Sequence, residues 1–162
     1  MRIVSYYKAD LTNGPGVRAT IFVSGCNHQC KDCFNKELWD FNLGKPFTDE
    51  LEKEIFDVFD KDYIDGLTVL GGEPLDEKNR DGVAKLCKDF KQRFPNKNIW
   101  VWTGYVYENI KDIEALKYID VLVDGRFIKE LKSLGLKWKG SKNQRIIDLV
   151  ATRENGCLTI IG

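Results

Sequence analysis

The chain has no net charge of either sign, because 25 lysines and arginines stand against 25 aspartates and glutamates. Domains whose main work is coating nucleic acid are usually basic overall, so nucleic acid is not an expected partner. No apolar run approaches the roughly 20 residues that span a bilayer, so no membrane helix is expected. Residues 1–10 lack the apolar stretch of an export signal, and a cytoplasmic location is the expectation. Proline is scarce, at four residues, and there is no repeat, low-complexity tract or Pro/Ser-rich linker. The 162 residues are therefore expected to form one domain spanning 1–162, long enough to bury a core without disulfide staples.

Against this plain background the cysteines stand out. Three of the five, Cys26, Cys30 and Cys33, lie within the stretch GCNHQCKDCF at 25–34. In a cytosolic chain such a cluster reads as metal-binding or redox-active rather than as a disulfide framework. Thiolates are the usual ligands of iron–sulfur clusters, and three of them can hold three corners of a 4Fe-4S cube, leaving one iron open. A structural zinc site with His28 as fourth ligand is the competing reading, although His28 sits inside the loop and is expected to face solvent. A redox dithiol at Cys30 and Cys33 leaves Cys26 unexplained. Cys87 and Cys157 are expected to be buried small hydrophobes.

The rest of the chain alternates between short apolar runs and amphipathic stretches. Strands are expected at 17–24, 67–70, 99–102 and 121–123, with a final pair at 146–150 and 157–161. Helices are expected at 48–59, which Thr48 can cap, at 79–94 and at 106–116. Alternating strands and helices imply an α/β fold with a mostly parallel sheet, whose active site lies at the carboxyl ends of the strands. The distinctive residues fall there: the cysteine loop, then Gly71, Gly72 and Glu73, then Thr103 and Gly104, then Asp124 and Gly125.

The cysteine spacing after a strand resembles the radical S-adenosylmethionine superfamily. The chain is more closely similar to the activating proteins of anaerobic (class III) ribonucleotide reductases. The likeness rests on NGPGVR at 13–18, the cysteine loop with Phe34 and Asn35, and LGGEPL at 70–75. It continues through WVWTGY at 100–105, DVLVDG at 120–125 and WKGSKNQR at 138–145, and covers the chain from about Tyr6 to Ile147. Activators of other glycyl-radical enzymes, such as pyruvate formate-lyase, share the cysteine loop and are generally longer.

This resemblance implies a truncated β/α barrel. It also implies a 4Fe-4S cluster on Cys26, Cys30 and Cys33, with S-adenosylmethionine bound at its open iron. Reductive cleavage would give a 5′-deoxyadenosyl radical that abstracts hydrogen from a glycine of the reductase large subunit. An electron donor such as a flavodoxin is implied, with the protein acting as a homodimer or as a hetero-oligomer with the reductase. For S-adenosylmethionine the implied contacts are Asp32 through its main chain, Cys33, Phe34, Gly71, Gly72, Glu73, Thr103 and Asp124. Asp32 departs from the pattern, since many superfamily members carry an aromatic residue there. Glu73 suits the ligand's ammonium, although a tight turn with a solvent-facing Glu73 would explain the same residues. Thr103 and Asp124 suit ribose hydroxyls or the methionyl end, or they cap loops. The basic run from Lys129 to Arg145 is a solvated face or a docking surface.

Overall fold

The computed structural model describes residues 1–162. Its seven strands are β1 (Arg2–Asp10), β2 (Arg18–Val23), β3 (Lys45–Pro46), β4 (Gly66–Gly71), β5 (Asn98–Trp102), β6 (Val121–Asp124) and β7 (Arg145–Asp148). They form one sheet in the order β3-β1-β2-β4-β5-β6-β7. The run β2-β4-β5-β6 is parallel, while β1 and β3 on one side and β7 on the other pair antiparallel. The sheet is thus mixed, with its parallel character confined to the centre. No helix is long and apolar enough to cross a membrane.

The helices α1 (Asp49–Phe59) and α2 (Arg80–Arg93) supply the core on one face of the sheet. Thr48 caps α1 by accepting the Leu51 N–H at 3.2 Å, as Ser and Thr do at helix starts. Ile55, Phe56 and Phe59 of α1 and Val83, Leu86, Cys87 and Phe90 of α2 pack against Ala19, Ile21, Val23, Leu67, Val69, Ile99 and Val101 of the central strands. Side chains alternate across a strand, so the intervening residues point to the opposite face. There Trp100, Val123 and Ile146 form a second, smaller cluster with Trp102 and Trp138. Arg18 fills the bottom of that face, donating to Thr68 Oγ1 (3.1 Å), the Leu67 carbonyl (2.7 Å) and Asn98 Oδ1 (2.6 Å). Burial pulls its guanidinium down to about 10. The upper end of the same face is left open by the helices and becomes a cavity.

Several expected elements differ from those observed. Strand β1 has no counterpart in the sequence reading; its burial pattern is broken and only Ile3 is fully buried. The expected helix at 106–116 is a single turn, α3 (Tyr107–Ile110), followed by a 3-10 turn at Glu114–Lys117. Ile113 between them is extended, with ψ 147°, which stops the helix. The run 146–150 is not one strand: Asp148 ends β7 and caps α4 (Leu149–Asn155) by accepting the Ala151 N–H at 2.9 Å. Gly156, left-handed with φ +69°, closes α4. The tail at 157–161 joins β7 through a single bridge between Ile160 and Ile147. Cys157 is exposed, not buried as expected, whereas Cys87 is buried.

Candidate functional site

Because β2, β4, β5 and β6 run parallel, their carboxyl ends meet at one edge of the sheet, and a cavity of about 520 Å³ opens there. All four strand-end loops contribute to it. The cysteine loop brings Cys26, Cys30 and Cys33; the loop after β4 brings Gly71, Gly72 and Glu73; β5 leads to Thr103 and Gly104; β6 leads to Gly125. Thr12 and Asn13, in the turn that joins β1 to β2, close one side. Phe127, Trp138 and Gln144 close the other.

The close approach of two turns sets this geometry. Gly71 has φ +124°, in the region that side chains disfavour, and Gly72 lies directly against Gly25. The Glu73 N–H donates to the Gly25 carbonyl at 2.7 Å, tying the turn to the start of the cysteine loop. The Asn35 side chain donates to the Gly71 carbonyl at 3.3 Å and ties the far end of that loop to the same turn. A Cβ on Gly72 would lie 2.4 Å from the Gly25 oxygen and 2.8 Å from its carbonyl carbon. Gly72→Ala is therefore expected to cost about 1–3 kcal/mol, the usual range for forced overpacking, and to spread the cysteine loop from the β4 turn. Denaturant unfolding measures the first effect and iron content after reconstitution the second.

The cysteines are free and half-buried. Burial pushes the Cys26 thiol up, and the N–H groups of His28 and Gln29 pull it back by donating to the sulfur. Burial likewise raises Cys30, against the Phe127 N–H. The Asn35 N–H donates to Cys33 Sγ at 3.4 Å. Each sulfur thus already faces a backbone N–H donor. The donor set, three thiols lining one cavity, suits an iron–sulfur cluster by its chemistry, although the side chains are not drawn together into a metal-binding group in this structure.

His28 is not the solvent-facing loop residue expected. Its side chain is 8% exposed, and Nε2 lies 2.8 Å from Glu73 Oε2. Nε2 of the residue expected as the fourth ligand of a zinc site is engaged with a carboxylate. Glu73 is itself 1% exposed, not solvent-facing. Its Oε1 accepts from the Thr103 hydroxyl (2.7 Å) and the Leu75 N–H (2.9 Å), and its Oε2 from the Gly104 N–H (2.7 Å) as well as from His28. Thr103 reaches the cavity wall as a partner of Glu73.

Two of the sequence-derived ligand residues lie off the cavity. Asp124 is 1% exposed and faces Arg145, which donates from Nε to Oδ1 at 2.9 Å; the Tyr107 N–H donates to Oδ2 at 2.7 Å. The glycine after it, Gly125, lines the cavity in its place. Asp32 is exposed with φ +56° and pairs with Lys129 at 3.0 Å. Phe34 is 62% exposed at the rim, where its ring packs on Phe127 at 5.0 Å. The sequence reading assigned no role to Trp39, Phe127 or Gln144, all of which line the cavity. The last had a signal in the motif at 138–145. Gln144 accepts the Gly140 N–H at 2.7 Å and donates to the Gly125 carbonyl at 2.9 Å, knitting that motif into the cavity wall.

The cavity at the carboxyl edge of the parallel strands is lined by three thiols, and residues 12–147 match the 4Fe-4S single cluster domain family, which makes this an iron–sulfur protein. The chain is also similar to the anaerobic ribonucleoside-triphosphate reductase-activating protein of Enterobacteria phage T4, with 46% identity over 86% of this chain and 89% of the relative. The proteins of that name from Vibrio cholerae (44% identity, 90% of this chain, 97% of the relative) and Escherichia coli K12 (42%, 89% and 96%) are similar over the same range. The chain belongs to this 4Fe-4S family and, within it, to the anaerobic ribonucleoside-triphosphate reductase-activating proteins.

Proposed function

We propose that this protein is the enzyme that activates an anaerobic ribonucleoside-triphosphate reductase, with the whole chain acting as one activase domain. The observation that carries the reading is the convergence of Cys26, Cys30, Cys33 and the Gly71–Glu73 turn on one cavity at the carboxyl ends of β2 and β4. Cys26, Cys30 and Cys33 would hold a 4Fe-4S cluster. Bound and reduced, the cluster would supply one electron to break a carbon–sulfur bond of S-adenosylmethionine, giving methionine and a 5′-deoxyadenosyl radical that would take a hydrogen atom from a glycine Cα of the reductase.

The chain's own residues then have separate tasks. Glu73 offers a buried carboxylate to the ligand's ammonium. Gly71 and Gly72 let the backbone approach that ligand without a side chain in the way. Trp102, Phe127 and Trp138 form an apolar wall that keeps water from the reacting carbon. Asp32 pairs with Lys129 outside the cavity and holds the cysteine loop from there, and Asp124 acts through Arg145 and Tyr107, by fixing the loop that carries Gly125. Helices on one face and an open, cavity-bearing opposite face are what a truncated β/α barrel would show. A small one-electron carrier of flavodoxin type, acting in the cytoplasm, would supply the electron.

The test is electron paramagnetic resonance on the anaerobically reconstituted, reduced protein with S-adenosylmethionine. A glycyl-radical signal is expected with the reductase large subunit and none with pyruvate formate-lyase. A signal with the lyase alone would keep the chemistry and reassign the partner.

A further inference from the structure

The four donors on Glu73 lead to an inference that rests on the ligand reading above and deepens it. An ionised carboxylate has about four lone-pair sites. At Glu73 all of them are taken by the chain itself, through the Thr103 hydroxyl, the Leu75 and Gly104 N–H groups and His28 Nε2. A ligand ammonium can reach this carboxylate only if one donor leaves. The Leu75 and Gly104 donors are backbone groups of the turns after β4 and β5 and cannot rotate away. Thr103 is 5% exposed and its hydroxyl also accepts the Tyr105 N–H at 3.2 Å. His28 alone is a long side chain carried by a loop without regular structure. It rests in a notch that Gly104 leaves open: a Cβ there would lie 2.5 Å from the His28 ring. Its other neighbour is the Tyr105 ring, edge-on at 4.6 Å, which a swinging imidazole can leave without breaking a hydrogen bond.

We propose that His28 is the resident occupant of the ammonium subsite at Glu73, and that the α-amino group of S-adenosylmethionine displaces it on binding. The exchange is possible in kind, because the ligand's ammonium offers the same carboxylate oxygen an N–H donor that carries a full positive charge. Since His28 lies between Cys26 and Cys30, its departure also couples occupancy of the ligand site to the conformation of the cysteine loop. His28 is a positioning residue in this scheme and touches the ligand only by yielding to it.

Equilibrium dialysis on the cluster-loaded protein provides the test. Removing an internal competitor should make His28→Ala bind S-adenosylmethionine about 10- to 100-fold tighter, the span that one hydrogen bond to a charged group covers. Binding of 5′-methylthioadenosine, which lacks the amino group, should not change. His28→Phe keeps a ring against Tyr105 but cannot donate, and should show the same pattern if the alanine variant folds poorly. A second readout needs no variant. The chain has one histidine, so its 15N-labelled Nε2–H reports on this contact alone; the signal should be protected from solvent exchange without ligand and lose protection at saturation. Weaker binding by both variants, or an Nε2–H that stays protected in the ligand complex, would overturn the exchange. Failure of the wild-type protein to bind S-adenosylmethionine with its cluster intact would instead overturn the function on which the inference rests.

Discussion

Cys33→Ala is expected to abolish both cluster assembly and reductase activation while leaving the fold intact. Cys33 is half-buried in an irregular loop, and its sulfur accepts one weak backbone hydrogen bond, from Asn35 at 3.4 Å. The alanine variant should therefore change unfolding free energy by about 0.5 kcal/mol or less, as substitutions outside the core do. Iron and sulfide per chain should fall to background and the brown colour should be lost, because two remaining thiolates cannot hold the cube as three do. The controls lie in the same chain. Cys87→Ala removes a sulfur from the fully buried core and should cost about 1 kcal/mol or more of stability, while iron loading stays normal. Exposed Cys157→Ser should change neither. The three outcomes separate a ligand from a packing residue and from a bystander. Iron retained at wild-type level in Cys33→Ala would remove that cysteine from the ligand set.

How much of this was legible beforehand depended on what kind of signal each residue emits. The cysteine loop and the glycines of the β4 turn are visible because their residue types are chemically unusual in close spacing. The central strands are visible because burial on both faces makes them short apolar runs. The parallel arrangement followed from the alternation with α1 and α2. Strand β1 was invisible because its register slips between Ile3 and Ser5 and again before Asp10, which breaks any clean alternation. Helix α4 carried the ordinary signals, Asp148 at its start and Gly156 at its end, but the apolar residues 146–150 run across the boundary and mask it. Asp124 shows the limit of reasoning from position alone. A polar residue at a strand's carboxyl end can point into the cleft or along the sheet edge. Here Arg145, reached through the antiparallel pairing of β6 with β7, takes the carboxylate. The same long-range pairing joins Arg145 to Glu108 and holds that carboxyl down near 2. His28 failed for a similar reason, since nothing local marks a loop histidine that folds back 45 residues away in sequence onto Glu73.

Glu73→Gln is expected to weaken S-adenosylmethionine binding strongly while sparing the cluster. The amide keeps the shape of the carboxylate but accepts on one oxygen alone, so four donors compete for half the former capacity. The best compromise turns the amide oxygen toward Gly104 and His28 and the amino group toward the Thr103 hydroxyl, which can rotate to accept. The buried Leu75 N–H is then left without a partner, at a cost of about 1–3 kcal/mol in unfolding free energy. Loss of the charge-assisted bond to the ammonium should lower affinity about 10- to 100-fold. Iron content should be unchanged, because Glu73 is bonded within the turn network and is not among the thiol ligands. Dialysis, denaturant unfolding and iron analysis on one preparation distinguish these effects. The sign is the informative part. Removing the acceptor at Glu73 should loosen the ligand, whereas removing its internal donor at His28 should tighten it, and the two changes made together should bring no gain over Glu73→Gln alone. A carboxylate that merely braced the turn would make both substitutions loosen binding. Opposite signs require that Glu73 is shared, in turn, by the protein's own imidazole and by the ligand's ammonium.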